Sequence, residues 1–350
     1  MDTPKVTSSN PLITIGIPVF NTPKEDIERC FISVFEQTYK NLEILVVNDC
    51  CTDNTITHIN NTATRLHSEN KLRIINHNYN QGVSGSRNTI LQKAQGEYLY
   101  FMDCDDIIEN NTIELLLNEA KSNDADSVWG SIKIKSHNVS EEIEYKKFPH
   151  LILDGKKDIA EHCRIFGIHW FPVVWNILFK TTLVRDNNLH FQSVGTYDDY
   201  IFQFQLLPLL NKVVLIPNFT YCWMIRQGSQ SFITGRTFNI NHINNAIKAE
   251  LFIKEFYTLM TDKRLIDYYY PLISAHALYQ ACYIVKHRKH FDSQIPLSKI
   301  KDILSPIMTF KDLFYIKHNR LKLFFFYCLS KCPSYIIPCI LRVISKAKWT

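Results

Sequence analysis

The stretch "LITIGIPVFNTPKEDIERCFISVFEQTYKNLEILVVNDC", residues 12 to 50, decides the fold of the first part of the chain. Its two β-type runs, LITIGIPV and EILVV, are separated by KEDIERCFISVFEQTY, a polar segment of helix length. A strand, a helix and a second strand in this order predict two parallel strands with the helix packed on one face of their sheet.

The same alternation continues to residue 103. A polar helical segment is followed by LRIIN, VSGSRNTILQKA and EYLYFM, so we predict a mostly parallel α/β sheet with flanking helices. Residues 124 to 240 are richer in aromatic residues and in interrupted apolar runs, which favours a substrate-binding half with an antiparallel edge. After about residue 240 the pattern becomes helical and rich in Tyr and Phe.

Composition limits the class of protein. The chain has 350 residues and 46% hydrophobic residues, enough for one large domain with an appendage or for two domains. Its ten cysteines show neither a dense disulfide framework nor a repeated zinc spacing, and the N-terminus lacks the pattern of a secretory signal, so we expect reduced thiols and a cytoplasmic protein.

Charge is distributed unevenly along the chain. Residues 241 to 350 carry 17 Lys and Arg against 7 Asp and Glu, whereas residues 1 to 240 are net acidic, which indicates different partners for the two parts. We expect no nucleic acid among them.

Acidic residues follow two of the predicted strands. Asn48 and Asp49 end one strand, and "YFMDCDDII", residues 100 to 108, places Asp103, Asp105 and Asp106 after another. Ligands of such sheets bind beyond the carboxyl ends of the strands, and residues two apart on a strand face the same side, so we expect Asp103 and Asp105 to point into one crevice.

Neighbouring carboxylates repel each other unless a cation lies between them. Mg²⁺ or Mn²⁺ binds in proteins through one or two carboxylates together with phosphate oxygens, so the cluster predicts a metal and nucleoside diphosphate site. The alternative is a turn or a helix N-cap, since Asp favours both places.

Three segments then carry a family resemblance: "ITIGIPVFN", "CFISVFEQTYKNLEILVVNDCCTDNT" and "NQGVSGSRNTILQKAQGEYLYFMDCDD". In order and spacing they resemble the family 2 glycosyltransferases, and weaker matches follow in "VVWNILFK", "TYDDYIFQFQLL" and "YCWMIRQGSQS". The resemblance implies a GT-A fold, a Rossmann-like and mostly parallel sheet, as a catalytic domain over residues 1 to 240. It divides this domain into a nucleotide-binding half at 12–108 and an acceptor half at 109–240, followed by a helical region at 241–350.

The resemblance also implies roles for residues of the nucleotide-binding half. Pro18 and Phe20 would line the base pocket beside Asn21, Asp49 would hydrogen-bond the base, and Arg87 would approach the base or the diphosphate. Asp103 would contact the ribose or base, Asp105 would bind Mn²⁺ or Mg²⁺, and Asp106 would be a cap or a supporting group. For Arg87 the alternative is an exposed position on its helix.

In the acceptor half, Asp199 matches the catalytic base of the family. Asp198 replaces the Glu that usually precedes it, and capping of the following helix is the alternative for both acids. Trp175 and Asn176 match a Trp-Asn pair that contacts sugar, with core packing as the alternative for Trp175. Arg226 and Ser229 would belong to a loop that closes over the diphosphate.

Three departures from the family pattern stand out. The usual Lys after the Trp-Asn pair is Ile177, Asn48 replaces an Asp, and Cys50 occupies a position where Gly would permit unusual dihedral angles.

The implied reaction is an inverting transfer from a nucleotide-diphosphate sugar, most simply a UDP-sugar, to a hydroxyl of a glycan or a lipid-linked acceptor. It would serve the synthesis of a bacterial capsule, exopolysaccharide or O-antigen. A sugar-nucleotide pyrophosphorylase would need a Gly-rich phosphate loop after the first strand, where the chain has PVFNTPKED. A second alternative is a catalytically degenerate protein of the same fold that acts as a membrane-bound assembly factor.

The last segment, residues 320 to 350, combines apolar clusters with Lys, Arg and two prolines. It cannot span a bilayer as one helix, and we expect one or two short amphipathic helices on an anionic membrane surface, with Phe324 to Tyr327 at the acyl boundary. This would place the protein on the inner face of the cytoplasmic membrane. The alternative is a helical pair that packs on the catalytic domain.

Overall fold

The computed structural model of the protein describes residues 10–66, 71–136, 142–165, 173–225, 240–259, 266–291, 295–305, 309–314, 316 and 320–346. Its strands are β1 Ile13–Val19, β2 Leu42–Asn48, β3 Lys71–Asn76, β4 Tyr98–Phe101, β5 Ile107–Ile108, β6 Ser127–Ser136, β7 Glu142–Lys146, β8 Leu151–Asp154, β9 Ile177–Lys180 and β10 Lys212–Ile225.

The helices alternate with the strands in the first half and dominate the end of the chain. They are α1 Lys24–Phe35, α2 Thr55–Arg65, α3 Gly82–Lys93, α4 Thr112–Asn123, α5 Lys156–Ile165, α6 Thr181–Asp186, α7 Asp198–Leu206, α8 Ile240–Leu259, α9 Ile266–His287, α10 Leu297–Ile303, α11 Arg320–Lys331 and α12 Ile337–Lys346. Short 3₁₀ turns lie at Gly195–Tyr197, Leu207–Leu209 and Phe310–Phe314.

The strands form one sheet in the order β3-β2-β1-β4-β9-β6-β10-β5, with β7 paired to β6 and β8 paired to β10. Strands β3, β2, β1 and β4 pair with one another in parallel, which confirms the predicted parallel sheet. Strand β9 runs antiparallel between β4 and β6, and β7 and β8 add antiparallel edges, as predicted for the second half.

Proline is unusual in an inner strand because it has no N–H for the ladder. Pro18 is accommodated in β1 because the pairing of β1 with β4 covers only Ile13 to Gly16, so Pro18 lies beyond it. Both faces of this part of the sheet are covered, since all seven residues of β1 are buried.

The chain divides into two compact units. The sheet unit comprises residues 1–155, 173–193 and 209–229, and the helical unit comprises residues 156–172, 194–208 and 230–350. The helical region that the sequence predicts after residue 240 is confirmed by α8 to α12. The predicted domain boundary at residue 240 stays a prediction.

The helical unit has a core of its own. Aliphatic and aromatic side chains from α8 to α12 pack into one buried cluster that includes Ile243, Ile284, Ile303, Phe326, Leu341 and Ile344. In the described part of the chain, no helix has the length and apolar character that crossing a membrane requires.

Candidate functional site

The ends of β1, β2 and β4 lie side by side in the sheet, and the loops after them carry Asn21, Asp49 and Asp103. Asn21 joins two of these loops, because its Oδ1 accepts a hydrogen bond of 2.9 Å from the backbone N–H of Thr52. Asn21 and Cys50 have φ angles of 43° and 67°, in the left-handed region. The expectation of an unusual dihedral at position 50 is thus confirmed, although a Cys and not a Gly adopts it.

Asp49 lies almost fully buried, 3% exposed, at the N-terminus of α3. Its Oδ1 accepts hydrogen bonds from the backbone N–H of Gln81 at 2.8 Å and from Nδ1 of His77 at 2.7 Å, and its Oδ2 accepts one from the N–H of Gly82 at 2.7 Å. The carboxylate therefore satisfies N–H groups that the first turn of a helix leaves without partners, and its charge complements the helix dipole. With four acceptor positions on a carboxylate, these bonds from the described residues leave one, on Oδ2, for a further donor.

Arg87 projects from α3 toward the loop after β4. It is 4% exposed, so the alternative of an exposed helix residue is wrong. Its Nη2 donates a 2.9 Å hydrogen bond to Oδ1 of Asp103, and its guanidinium carbon lies 5.5 Å from the centre of the Phe191 ring. Arg87 thereby compensates the charge of Asp103 and fixes its orientation, while the side chain of Asp103 stays 32% exposed.

Asp106 is the buried member of the acid cluster after β4. It is 2% exposed and accepts hydrogen bonds from Oη of Tyr221 at 2.6 Å and from the backbone N–H of Met224 at 2.7 Å. Burial, followed by the nearby carboxylates Asp105 and Asp103, raises the pKa of Asp106 well above the usual value of a carboxyl group. This placement agrees with the supporting role expected for Asp106.

The prediction that Asp103 and Asp105 face the same side because they lie on one strand is wrong. Strand β4 ends at Phe101, and residues 103 to 106 form a turn, so the alternation of a strand does not apply to them. The three carboxylates are instead distinguished by environment: Asp103 is paired with Arg87, Asp106 is buried with a raised pKa, and Asp105 is half-exposed. The repulsion between these three neighbouring acids is reduced because each carboxyl group has a different environment.

The donor set at this turn suits a hard cation that shares its coordination with phosphate. Asp105 and Asp103 offer oxygen atoms, while the pKa values of the neighbouring thiols Cys30 and Cys104 are raised by burial, so both thiols stay protonated. No group of three or more His, Cys, Asp and Glu side chains in the described ranges is arranged to hold a metal ion. The residues therefore fit Mg²⁺ or Mn²⁺ only in the mode that uses one or two carboxylates together with a bound diphosphate.

Trp175 and Asn176 lie inside the sheet unit. The Trp175 ring is 6% exposed and stacks on Tyr221, with 4.4 Å between the ring centres, which fits the alternative of core packing. The Asn176 amide donates to the carbonyl oxygens of Gly130 and Ser131, and its Oδ1 accepts from Oγ1 of Thr220 at 2.7 Å and from Oη of Tyr100 at 3.3 Å.

These four bonds fill the hydrogen-bonding capacity of the Asn176 amide. A direct bond to a sugar hydroxyl would have to displace one of them. Asn176 also has a φ of 59°, so its position serves to hold the backbone before β9 in a left-handed conformation.

In the helical unit, α7 begins with the two acids proposed for catalysis. Asp198 is 4% exposed, and its Oδ1 accepts a 3.0 Å hydrogen bond from the backbone N–H of Val194, which closes the turn before the helix. Asp199 is half-exposed in the first turn, where the positive end of the helix dipole stabilises a carboxylate. The N-cap position of α7 is Tyr197, and the bond of Asp198 to Val194 closes the preceding turn, so this bond is not the helix cap that the sequence suggested. Asp199 keeps a more open position.

The tyrosines on either side of this acid pair are anchored by polar groups of α8 and α9. Oη of Tyr197 lies 3.0 Å from Nε2 of His242. Oη of Tyr200 donates a 3.1 Å hydrogen bond to Oε1 of Glu250, which also accepts from Nδ1 of His276. Glu250 is fully buried. These contacts fix the start of α7 on α8 and α9.

The sequence reasoning missed these anchors and the partners of Asp49. One sequence feature could have indicated the role of Glu250. It lies on the same stripe of α8 as the apolar residues Ile243, Ile247 and Ile253. A single acid among buried apolar residues needs a buried polar partner. Phe20, proposed for the base pocket, is 48% exposed after β1. Arg226 and Ser229 lie outside the described residues.

Comparisons with known proteins agree with the fold and the sequence pattern. Residues 14–178 match the family described as Glycosyl transferase family 2. The glucosyltransferase WfgD of Escherichia coli is 31% identical over 193 residues, which cover 53% of this chain and 74% of WfgD. A cholesterol galactosyltransferase of Borreliella burgdorferi is 27% identical over 271 residues, which cover 74% of this chain and 73% of that protein.

A solved structure extends the likeness of fold to nearly the whole chain. The crystal structure of Staphylococcus aureus TarS residues 1–349 in complex with UDP-GlcNAc superposes with a TM-score of 0.65 at 16% identity, covering 97% of this chain and 92% of that 1–349 chain. The fold and the strand-end acids define a glycosyltransferase with the GT-A fold. The chain belongs to glycosyl transferase family 2.

Proposed function

We propose that the protein is an inverting glycosyltransferase that moves a sugar from a UDP-sugar to a hydroxyl of a glycan or lipid-linked acceptor. The observation that carries this proposal is the set of carboxylates Asp49, Asp103 and Asp105 in the loops after two parallel strands, with Arg87 paired to Asp103. The name of WfgD supports the choice of donor and acceptor, since it describes a UDP-Glc donor and a diphosphoundecaprenol-linked acceptor. Synthesis of a bacterial surface polysaccharide is the process that this pairing suits.

In the proposed donor site, the nucleotide lies across the ends of β1, β2 and β4. Pro18, Phe20 and Asn21 border the base, and Oδ2 of Asp49 accepts a base N–H at its remaining position. Asp103, held by Arg87, accepts hydrogen bonds from ribose hydroxyls. Since Arg87 bonds Asp103 here, we propose that it acts mainly through Asp103.

Asp105, with Asp103 beside it, is the proposed ligand of Mn²⁺ or Mg²⁺. Such an ion would supply positive charge to the diphosphate as it leaves. Asp105 suits this role because its side chain is half-exposed, whereas Asp106 is buried.

The proposed base is Asp199. As the acceptor oxygen bonds to the anomeric carbon, Asp199 takes the proton of that hydroxyl, and the bond from the anomeric carbon to the diphosphate oxygen breaks on the opposite side. One displacement inverts the anomeric configuration and forms no covalent enzyme intermediate. Asp198 shapes the turn that presents Asp199, and Trp175, Arg226 and Ser229 stay proposed substrate contacts.

The second candidate, a degenerate assembly factor, predicts no turnover. The test is hydrolysis of UDP-sugars by the full chain, with and without Mn²⁺, after a thermal-shift survey of UDP-sugars has selected the donor. We expect metal-dependent release of UDP, its loss in Asp199→Asn with UDP affinity kept, and wild-type rates in the control Asp186→Asn, which changes an exposed acid of α6. Absence of hydrolysis with every stabilising donor would favour the assembly factor, and wild-type rates in Asp199→Asn would remove this residue from the base role.

A further inference from the structure

Helix α11 carries two apolar stripes instead of one. Leu323, Phe326 and Leu329 are at most 4% exposed, and Phe326 and Leu329 belong to the core of the helical unit. On the opposite face, at the helical spacing i and i+3, Leu321 is 84% exposed and Phe324 is 46% exposed. A helix that served only to pack on its own unit would need the first stripe alone.

Helix α12 repeats this arrangement. Ile337, Leu341 and Ile344 are buried in the same core, whereas Ile336, just before the helix, and Val343 are 38% and 68% exposed. Ile336 and Val343 are seven positions apart and therefore lie on one side of the helix. Both C-terminal helices thus present a second, outward apolar stripe.

The 3₁₀ turn at Phe310–Phe314 enlarges this surface. Phe310 and Phe314 are 50% and 64% exposed, and their ring centres lie 5.7 Å apart. The centre of the Phe310 ring lies 5.8 Å from that of Tyr327 on α11, so the turn continues the surface of that helix. We call the exposed side chains Phe310, Phe314, Leu321 and Phe324, on this turn and on α11, the outer apolar face.

Basic groups border the outer apolar face. The guanidinium of Arg320 lies 5.4 Å from the centre of the Phe314 ring, and Nζ of Lys331 lies 5.4 Å from that of Tyr327. Lys322, on the other flank of the exposed stripe of α11, is exposed as well. Residues 309 to 350 contain eight Lys and Arg but one acid, Asp312.

We infer that the outer apolar face docks on an anionic lipid bilayer, with its Phe and Leu side chains at the acyl boundary and Arg320, Lys322 and Lys331 at the headgroups. Apolar side chains flanked by long basic ones are the pattern that an anionic interface binds. A second copy of the chain suits the face poorly, because both copies would bring the same positive charges together. The inference deepens the proposed function by giving a lipid-linked acceptor a place to meet the enzyme.

The structure corrects the predicted membrane contact in one respect. Residues 324 to 327 do not all face outward, since Phe326 lies in the core. One face of each helix packs in the core of the helical unit and the other is exposed, and packing on the catalytic domain stays a prediction. Deleting the segment would uncover that core, so the test uses substitutions at exposed positions.

The experiment measures co-flotation of the full chain with vesicles of phosphatidylcholine, with and without about one-third phosphatidylglycerol. We expect binding to the anionic vesicles and at least about tenfold weaker binding to the zwitterionic ones. Leu321→Ser with Phe324→Ser, and separately Arg320→Glu with Lys322→Glu, should each weaken binding at least about tenfold. The control Ile143→Ser with Ile152→Ser removes two apolar side chains that are 63% and 45% exposed on β7 and β8, and it should bind as the wild type does.

Equal binding to both kinds of vesicle, no binding, or wild-type binding by both outer-face variants would overturn the inference. So would dimerisation in sedimentation that depends on Phe324, which would assign the face to a second copy. UDP-sugar hydrolysis is measured for each variant in buffer without vesicles, where the outer-face variants should match the wild type. Vesicle binding without hydrolysis would contradict the proposed function but agree with the membrane inference. Hydrolysis without vesicle binding would contradict the membrane inference but agree with the proposed function.

Discussion

Replacing Asp49 tests whether this acid holds the nucleotide site together as well as contacting the nucleotide. In Asp49→Ala, the N–H groups of Gln81 and Gly82 and Nδ1 of His77 lose a buried acceptor. Loss of the cap and of bonds to a charged group should lower the free energy of unfolding by about 3 to 5 kcal/mol. Asp49→Asn keeps one acceptor oxygen but turns an NH₂ toward the Gly82 N–H, so it should cost about 1.5 to 3 kcal/mol.

The assay is urea denaturation of both variants, with UDP binding measured by calorimetry under conditions where each stays folded. We expect the order of stability to be wild type, Asn variant, Ala variant, with UDP affinity about tenfold weaker in the folded Asn variant because the base loses its acceptor. Asp53→Ala is the control, since the exposed Asp53 accepts a local, part-buried hydrogen bond from the N–H of Thr55, and its loss should cost about 1 kcal/mol or less. Wild-type stability of Asp49→Ala would refute the reasoning about the start of α3.

Three further perturbations test other parts of the molecule. Asp105→Asn should lower metal-dependent UDP release at least about 100-fold, because the proposed ligand loses its charge, and an unchanged response to Mn²⁺ titration would exclude it as the ligand. Glu250→Leu should lower the free energy of unfolding in urea by about 3 kcal/mol or more, because Tyr200 loses its buried acceptor, and full stability would contradict the anchoring of α7. Burial lowers the pKa of Lys254 from 10.5 to about 8, so the unfolded chain binds more protons than the folded chain between these pH values, and stability rises with pH there. From pH 7 to 9 the wild type should gain about 1 kcal/mol relative to Lys254→Met in urea titrations, and parallel pH profiles would contradict the shift.

The parallel half of the sheet could be predicted from the sequence because its signal is local. The runs LITIGIPV, EILVV and LRIIN lie within a residue or two of β1, β2 and β3, each separated by a helix that must pack on the sheet. The position of β9 between β4 and β6 could not be read in this way. It depends on pairing between segments about 80 residues apart along the chain, which no local pattern specifies.

The candidate site was predicted as a location more accurately than as a set of contacts. Acids at strand ends were placed correctly because the carboxyl ends of parallel strands meet at one edge. The contacts of Asp49 with His77 and of Asp103 with Arg87 arise from helix α3 and the loop before it, and sequence spacing does not show which way those side chains turn. For Asn176, the resemblance to the Trp-Asn pair of the family implied a sugar contact, whereas its amide is filled by partners within the protein.

The most direct test of the proposed chemistry is the anomeric configuration of the sugar that the wild-type protein first releases from its UDP-sugar donor. With water in place of the acceptor, proton NMR can observe this sugar before its two anomers equilibrate. A single displacement with Asp199 as base predicts that the first sugar has the configuration opposite to that of the donor. A first-formed sugar with the configuration of the donor would contradict the proposed mechanism.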